Sequence, residues 1–175
     1  EWVLQDLSKV SPLNYVILRY FNVAGADPKG RLGQQAPKTT HLIKTACEVA
    51  TGKRPLLTIY GDNYNTKDGT CVRDYIHVED LATAHIKALH YLEQGGSSTI
   101  LNCGYNTGHS VLEVVQCLEQ VLGRSINKKI GPRRQGDCQS LIANCEKILK
   151  TLDWKPQFNN MKMIVQTALS WESSI

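Results

Sequence analysis

Residues 74–104 read DYIHVEDLATAHIKALHYLEQGGSSTILNCG. The first five, DYIHV, are rich in β-branched and aromatic residues and predict a short strand. Val78, Leu81, Ala82, His85, Leu89 and Leu92 then recur at helical spacing. His85 lies on that apolar face and reads as a satisfied core histidine. Gly95-Gly96 stops the helix, and STILNCG, 98–104, returns to strand. A strand, a helix and a strand in this order are the unit of a parallel sheet, so an α/β fold is expected.

The flanks extend the pattern. Upstream, YVIL (15–18) predicts a buried strand, Leu42, Ile43, Ala46, Val49 and Ala50 mark a helical face closed by Gly52, and LLTIY (56–60) predicts another strand. GDNYNTKDG, 61–69, is dense in turn formers. Downstream, Ser110 and Glu113 form a capping box ahead of Val114, Val115, Leu118, Val121 and Leu122. INKKI (126–130) predicts a short strand, and helices are expected near 144–151 and 160–172. The sum is about four or five strands, paired mainly in parallel.

The chain has 175 residues, 42 % hydrophobic and 21 % charged, with a net charge of +4. Such a chain can bury a core without staples. Its one dense basic run, KKIGPRR (128–134), is too local to mark a nucleic-acid binder. The six cysteines form no CxxC and no metal-ligand spacing, and Cys47, Cys103 and Cys117 sit in apolar runs, so reduced thiols and a cytoplasmic setting are expected. No apolar run reaches the roughly 18 residues of a membrane span. EWVLQDL, at the start, reads as a helix met mid-course, so the sequence is expected to be cut from a longer one.

Glycine-rich phosphate turns, GxSxG and HExxH are absent, and no carboxylate pair stands out as an acid/base couple. Four clusters could bind a ligand. Tyr20-Phe21-Asn22 closes a strand whose C-terminal end is where α/β sheets place ligands; a packed aromatic corner is the alternative. Arg73 could clamp a phosphate, or form a surface ion pair with the adjoining Asp74. In GPRRQGD (131–137) two arginines lie between glycines, with Asp137 able to accept from sugar hydroxyls, or else the loop is merely solvated. Tyr60 could stack on a base or pack across strands. Together they suggest a nucleotide sugar.

In order along the chain, LRYFNVAGADPKGRLG, HLIKTACEVATGKRPLLTIYGDNYNTKDGTCVRDYIHVEDLA, LNCGYNTGHSVLEVV and GPRRQGD resemble the UDP-glucose 4-epimerases of the extended short-chain dehydrogenase/reductase group. The resemblance covers essentially the whole chain. It implies the last strands and helices of an NAD-binding Rossmann-type sheet, within residues 1–30, joined to a smaller mixed α/β substrate-binding part, mainly 31–175. Segments near 74–110 would return to the sheet. The family's GxxGxxG turn and its Tyr-x-x-x-Lys pair would precede Glu1, leaving no catalytic residue in this chain.

The resemblance also implies roles. Tyr20 and Phe21 would meet NAD, with Phe21 toward the nicotinamide. Asn22 would contact the diphosphate of a UDP-sugar substrate, and His41 and Leu42 would line the nucleotide, though some members carry Asn where His41 stands. Thr58, Ile59 and Tyr60 would contact uracil. Arg73 and Arg134 would clamp the diphosphate, Asp137 would accept from the ribose, and Leu141 would bound the sugar pocket. The intact protein would be a homodimer, with no metal, nucleic acid or membrane partner. Another nucleotide-sugar epimerase or dehydratase of the same group, and a non-catalytic UDP-binding protein, are the alternatives.

Overall fold

The computed structural model describes residues 1–36 and 38–175. Its helices are α1 (Trp2–Val10), α2 (Leu42–Ala50), α3 (Val78–Glu93), α4 (Val111–Leu122), α5 (Glu146–Leu152) and α6 (Met161–Ser174). Its strands are β1 (Val16–Tyr20), β2 (Asn22–Ala24), β3 (Leu57–Tyr60), β4 (Val72–His77), β5 (Thr99–Cys103), β6 (Gly108–Ser110), β7 (Lys128–Gly131) and β8 (Ser140–Leu141). The α/β expectation holds. β1 pairs with β5, β2 with β4, β3 with β7 and β8 with β4, all in parallel, and β6 runs antiparallel on β4. Three short strands, β2, β6 and β8, escape the sequence pattern because none exceeds three residues. β4 also begins two residues before the expected Asp74.

The periodicity of β4 organises the rest. Successive side chains of a strand face opposite ways. Tyr75 therefore joins one apolar cluster, with residues of α2, β3, α4 and α6, while Ile76 joins the other, with residues of α3, β5 and α5 and with Trp154. A strand buried on both faces must satisfy its polar side chains inside. Asp74 is 0 % exposed. It accepts backbone N–H bonds from Tyr105 (3.0 Å), Asn106 (3.0 Å) and Ala143 (3.3 Å). Burial pushes its carboxyl pKa up, against the pull of those N–H groups. The alternative of an Arg73–Asp74 surface pair is not realised, because adjacent strand residues point apart; Arg73 pairs with Asp137 instead.

α3 carries a second correction. His85 is not in the core: its ring is exposed, with Nδ1 2.8 Å from the Leu81 carbonyl. The buried stripe is Asp80, Leu81, Ala84 and Ala88, and Leu89 is 55 % exposed. The helix is rotated because Asp80 is drawn inward. Its carboxylate accepts from the Tyr105 hydroxyl (2.5 Å) and the Gln157 and Phe158 N–H groups (2.8 Å each). The Asp80 carbonyl takes the Trp154 indole N–H at 3.1 Å. A carboxylate this well bonded outweighs the pull of Val78 and Leu89 toward the core. Asp80→Ala strips three donors of their acceptor and should cost about 3 kcal/mol or more of stability, read by urea unfolding.

At the end of β4, His77 is fully buried and stacks on Phe158, ring centroids 4.3 Å apart. Its Nδ1 accepts from Glu79 N–H at 3.1 Å, which caps α3 and leaves the ring proton on Nε2, facing Thr167 Oγ1 at 3.1 Å. Gly25, at φ +80°, passes so close that a Cβ there would lie 2.5 Å from the imidazole. Burial holds the His77 pKa below its ordinary 6.5, against the pull of Asp80. The unfolded chain therefore takes up the proton first. His77 contributes stability that is complete above pH 6.5 and is lost as the pH falls through the folded value. Thermal unfolding should shift to lower temperature between pH 7 and 5, with a shallower slope in His77→Gln.

Candidate nucleotide groove and adjoining cavity

A groove of about 350 Å³ lies between α2, β3 and the start of β4. It gathers nine of the ten residues expected to touch substrate: Asn22, His41, Leu42, Thr58, Ile59, Tyr60, Arg73, Arg134 and Asp137. Leu141, the tenth, does not line it. Leu141 lies on β8 in register with Arg73 and is 49 % exposed. Tyr20 and Phe21 line a separate cavity of about 270 Å³, enclosed mainly by β2, α2 and α6. The two spaces share Asn22, His41, Leu42 and Tyr75 as walls.

Local chemistry explains each placement. Period two puts Arg73 on the same face of β4 as Tyr75, toward the groove. Its guanidinium donates to the Val72 carbonyl at 2.8 Å and to Asp137 Oδ1 at 3.3 Å. The paired arginines of GPRRQGD diverge. Arg133 turns to the 61–64 turn, bonding Asn63 Oδ1 at 2.6 Å and covering the Tyr64 ring at 4.1 Å. Arg134 turns to the groove and lies 3.9 Å above the Tyr60 ring. The Tyr60 face is thus covered by a cation rather than packed across strands. Asn22 donates to the Asp74 carbonyl at 3.0 Å, which fixes its amide at the seam.

β3 also presents its backbone. Leu57 N–H and Gly61 N–H bond β7 carbonyls or their neighbours, at Asn127 (3.0 Å) and Gly131 (2.9 Å). By alternation, the N–H and C=O groups of Thr58 and Tyr60 point the other way. Among the described residues nothing pairs with that edge. The groove therefore offers two guanidiniums and a carboxylate at the Tyr60 end, and an open strand edge along its length.

Nine further groove residues were not anticipated, Thr45, Arg54 and Tyr75 among them. Tyr75 was readable from the alternation of 72–77; Arg54 was not, since it follows the Gly52 stop and looks like a solvated loop residue. An ion network ties it to the adjoining cavity. Arg54 Nε donates to Glu48 at 2.8 Å, Glu48 faces Lys44 at 3.8 Å, and Lys44 pairs with Glu172, which also takes Lys53 at 2.9 Å. Glu172 is buried, which raises its pKa, but bonds from Lys44 and Lys53 prevail and hold it below the usual range.

The family model of the NAD dependent epimerase/dehydratase family matches residues 1–104. The chain belongs to that family. Among relatives of this epimerase/dehydratase chain, a UDP-glucose 4-epimerase of Azospirillum brasilense is 51 % identical over all 175 residues and half of its own length. One from Streptococcus mutans is 44 % identical over 99 % of this chain and 52 % of itself. A solved UDP-glucose 4-epimerase superposes with a TM-score of 0.95 at 43 % identity, over 99 % of this chain and 53 % of its own. The Bifidobacterium longum enzyme, solved in complex with NAD+ and UDP, gives 0.91 at 35 %, over 99 % and 52 %. The chain thus spans about half the length of the relatives it matches.

Among the described residues no group of three or more His, Cys, Asp or Glu could hold a metal ion, and no helix is long and apolar enough to cross a membrane. All six cysteines are free thiols. Cys138, beside Asp137, is exposed, while Cys47 and Cys103 are buried and pushed up to about 12, first by desolvation. A thiol reagent should therefore find Cys138 at once, Cys117 more slowly, and Cys47, Cys71, Cys103 and Cys145 only after unfolding. Absorbance of the released thiolate reads this directly.

Proposed function

We propose that this chain is the substrate-holding part of a UDP-glucose 4-epimerase, which interconverts UDP-glucose and UDP-galactose in galactose metabolism. One observation carries the reading: a single groove gathers Arg73, Arg134, Asp137 and the open edge of β3. Two guanidiniums match the two phosphates of UDP, and planar forks hold phosphate oxygens in pairs. Asp137 can accept from ribose hydroxyls. Along β3, the Thr58 carbonyl and the Tyr60 N–H match the N3–H and a neighbouring carbonyl of uracil. From Tyr60 back to Leu57 the strand runs about 10 Å at roughly 3.3 Å per residue, room for a nucleoside lying along it. Asn22 and His41, at the junction of the two spaces, would then lie toward the sugar. Leu141, next to Arg73 on β8, would border it from the other side.

Tyr20 and Phe21 supply the seat for a dinucleotide. Tyr20 is 54 % exposed at the end of β1, and Phe21 packs partly on the second apolar cluster, so the pair presents an apolar ledge that fits a nicotinamide face. Bound there, NAD would supply hydride exchange at the sugar's C4. Phe21 and Asn22 would orient the sugar beneath that ledge, and the resemblance assigns no residue of this chain to take the 4-hydroxyl proton. By the resemblance, Tyr-x-x-x-Lys and the dinucleotide-cradling glycines would lie in the length of the relatives that this chain does not span, so the chain alone is expected to be inactive. Residues 1–30 would finish the dinucleotide part, and 31–175 would form mainly the sugar part, with 74–110 returning to the sheet. The free thiols support a reducing, cytoplasmic setting, and exposed Trp2, Val3 and Val10 on α1 support burial against a second subunit or the rest of the chain.

Calorimetric titration of the chain with UDP tests the proposal. UDP should bind, and Arg73→Gln or Arg134→Gln should each weaken it about 10- to 100-fold, the loss of a charge-assisted bond. Absence of UDP binding, or tight binding by the double variant, would overturn it. Turnover of UDP-galactose by the chain and NAD+ alone would overturn the claim of inactivity.

A further inference from the structure

We propose that Arg54 reads the pyrimidine base and makes the groove select uracil over cytosine. The inference rests on the nucleotide reading above. Arg54 precedes β3 by three residues and lines the groove at the end away from Arg134 and Asp137. Its Nε is held by Glu48 Oε2 at 2.8 Å, and Glu48 is itself only 13 % exposed, so the guanidinium is anchored from behind. Both terminal nitrogens have no hydrogen-bond partner among the described residues. Two of the other hydroxyls that line the groove are engaged within the chain. Thr45 donates its hydroxyl to carbonyls of its own helix, at 2.9 and 3.0 Å, and Thr39 Oγ1 accepts from His41 N–H at 3.1 Å.

The chemistry follows from the base. The imide edge of uracil presents a carbonyl, an N–H and a second carbonyl. The Tyr60 N–H and Thr58 C=O answer the first two. The remaining carbonyl points back toward the start of β3, and there it meets a guanidinium donor. Cytosine offers an unprotonated ring nitrogen and an amino group at the last two places. The Thr58 carbonyl would then face a lone pair, and the Arg54 N–H groups would face N–H groups. Donors set against donors reject a base more strongly than a lost contact does.

Calorimetry with UDP, CDP and inorganic pyrophosphate on the chain, Arg54→Gln and Glu48→Gln tests this. The unaltered chain should favour UDP over CDP by about tenfold or more. Arg54→Gln, whose amide can flip between donor and acceptor, should bring the ratio toward one and leave pyrophosphate binding unchanged. Glu48→Gln, which keeps Arg54 but loosens its anchor, should fall between. Equal losses for UDP and CDP in Arg54→Gln, or an unmoved ratio, would overturn the assignment. Failure of the unaltered chain to prefer UDP over pyrophosphate would instead overturn the nucleotide reading itself, and Arg54's role with it.

Discussion

Everything in this chain hangs on a strand that has no solvent face. β4 sends Tyr75 into one apolar cluster and Ile76 into the other, so Asp74 cannot reach water. A buried carboxylate survives only when bonded, and here backbone N–H groups from residues 105, 106 and 143 converge on it. That requirement draws two distant turns against the strand. It also sends Arg73 the opposite way. The positive charge faces the groove because the negative one is held behind the sheet.

Asp80 repeats the device one turn into α3. It binds the Tyr105 hydroxyl, and Tyr105 in turn accepts from His77 N–H at 3.0 Å and packs against both clusters. Two buried acids and one tyrosine thus join the sheet to the residues that follow α5. The groove is a product of these joints. Its walls come from 22, 39–45, 54–60, 71–75, 111 and 134–137, segments brought side by side when β2, β7 and β8 find their partners.

The sequence showed the long elements well. The α4 capping box, its left-handed Gly123 and the apolar faces of α2 and α6 are where periodicity put them. It failed where local pattern and tertiary bonding disagree. The α3 face was misread because Asp80, a polar residue, has the most bonds to lose on leaving the core. β8 is two residues long and exists only through β4. Of the site, the motif residues were legible, but the divergence of Arg133 from Arg134 was not. It depends on Gly61, whose missing side chain leaves room for Arg133. Arg54 was invisible because its significance comes from Glu48, six residues back on a helix.

The pairing of Lys44 with Glu172 spans 128 residues of chain. A ribosome adds roughly 5–20 residues per second. Lys44 therefore emerges roughly 6–25 s before its partner is made. In that interval the inner face of α2 lacks Ile164 and Val165, the α6 residues that complete its cluster. The first apolar cluster is thus finished last, after the helix that lines the groove has long been exposed. Asp137 is the last residue of the groove wall, so the apolar face of α2 behind the groove is completed only after the groove's own walls have been made.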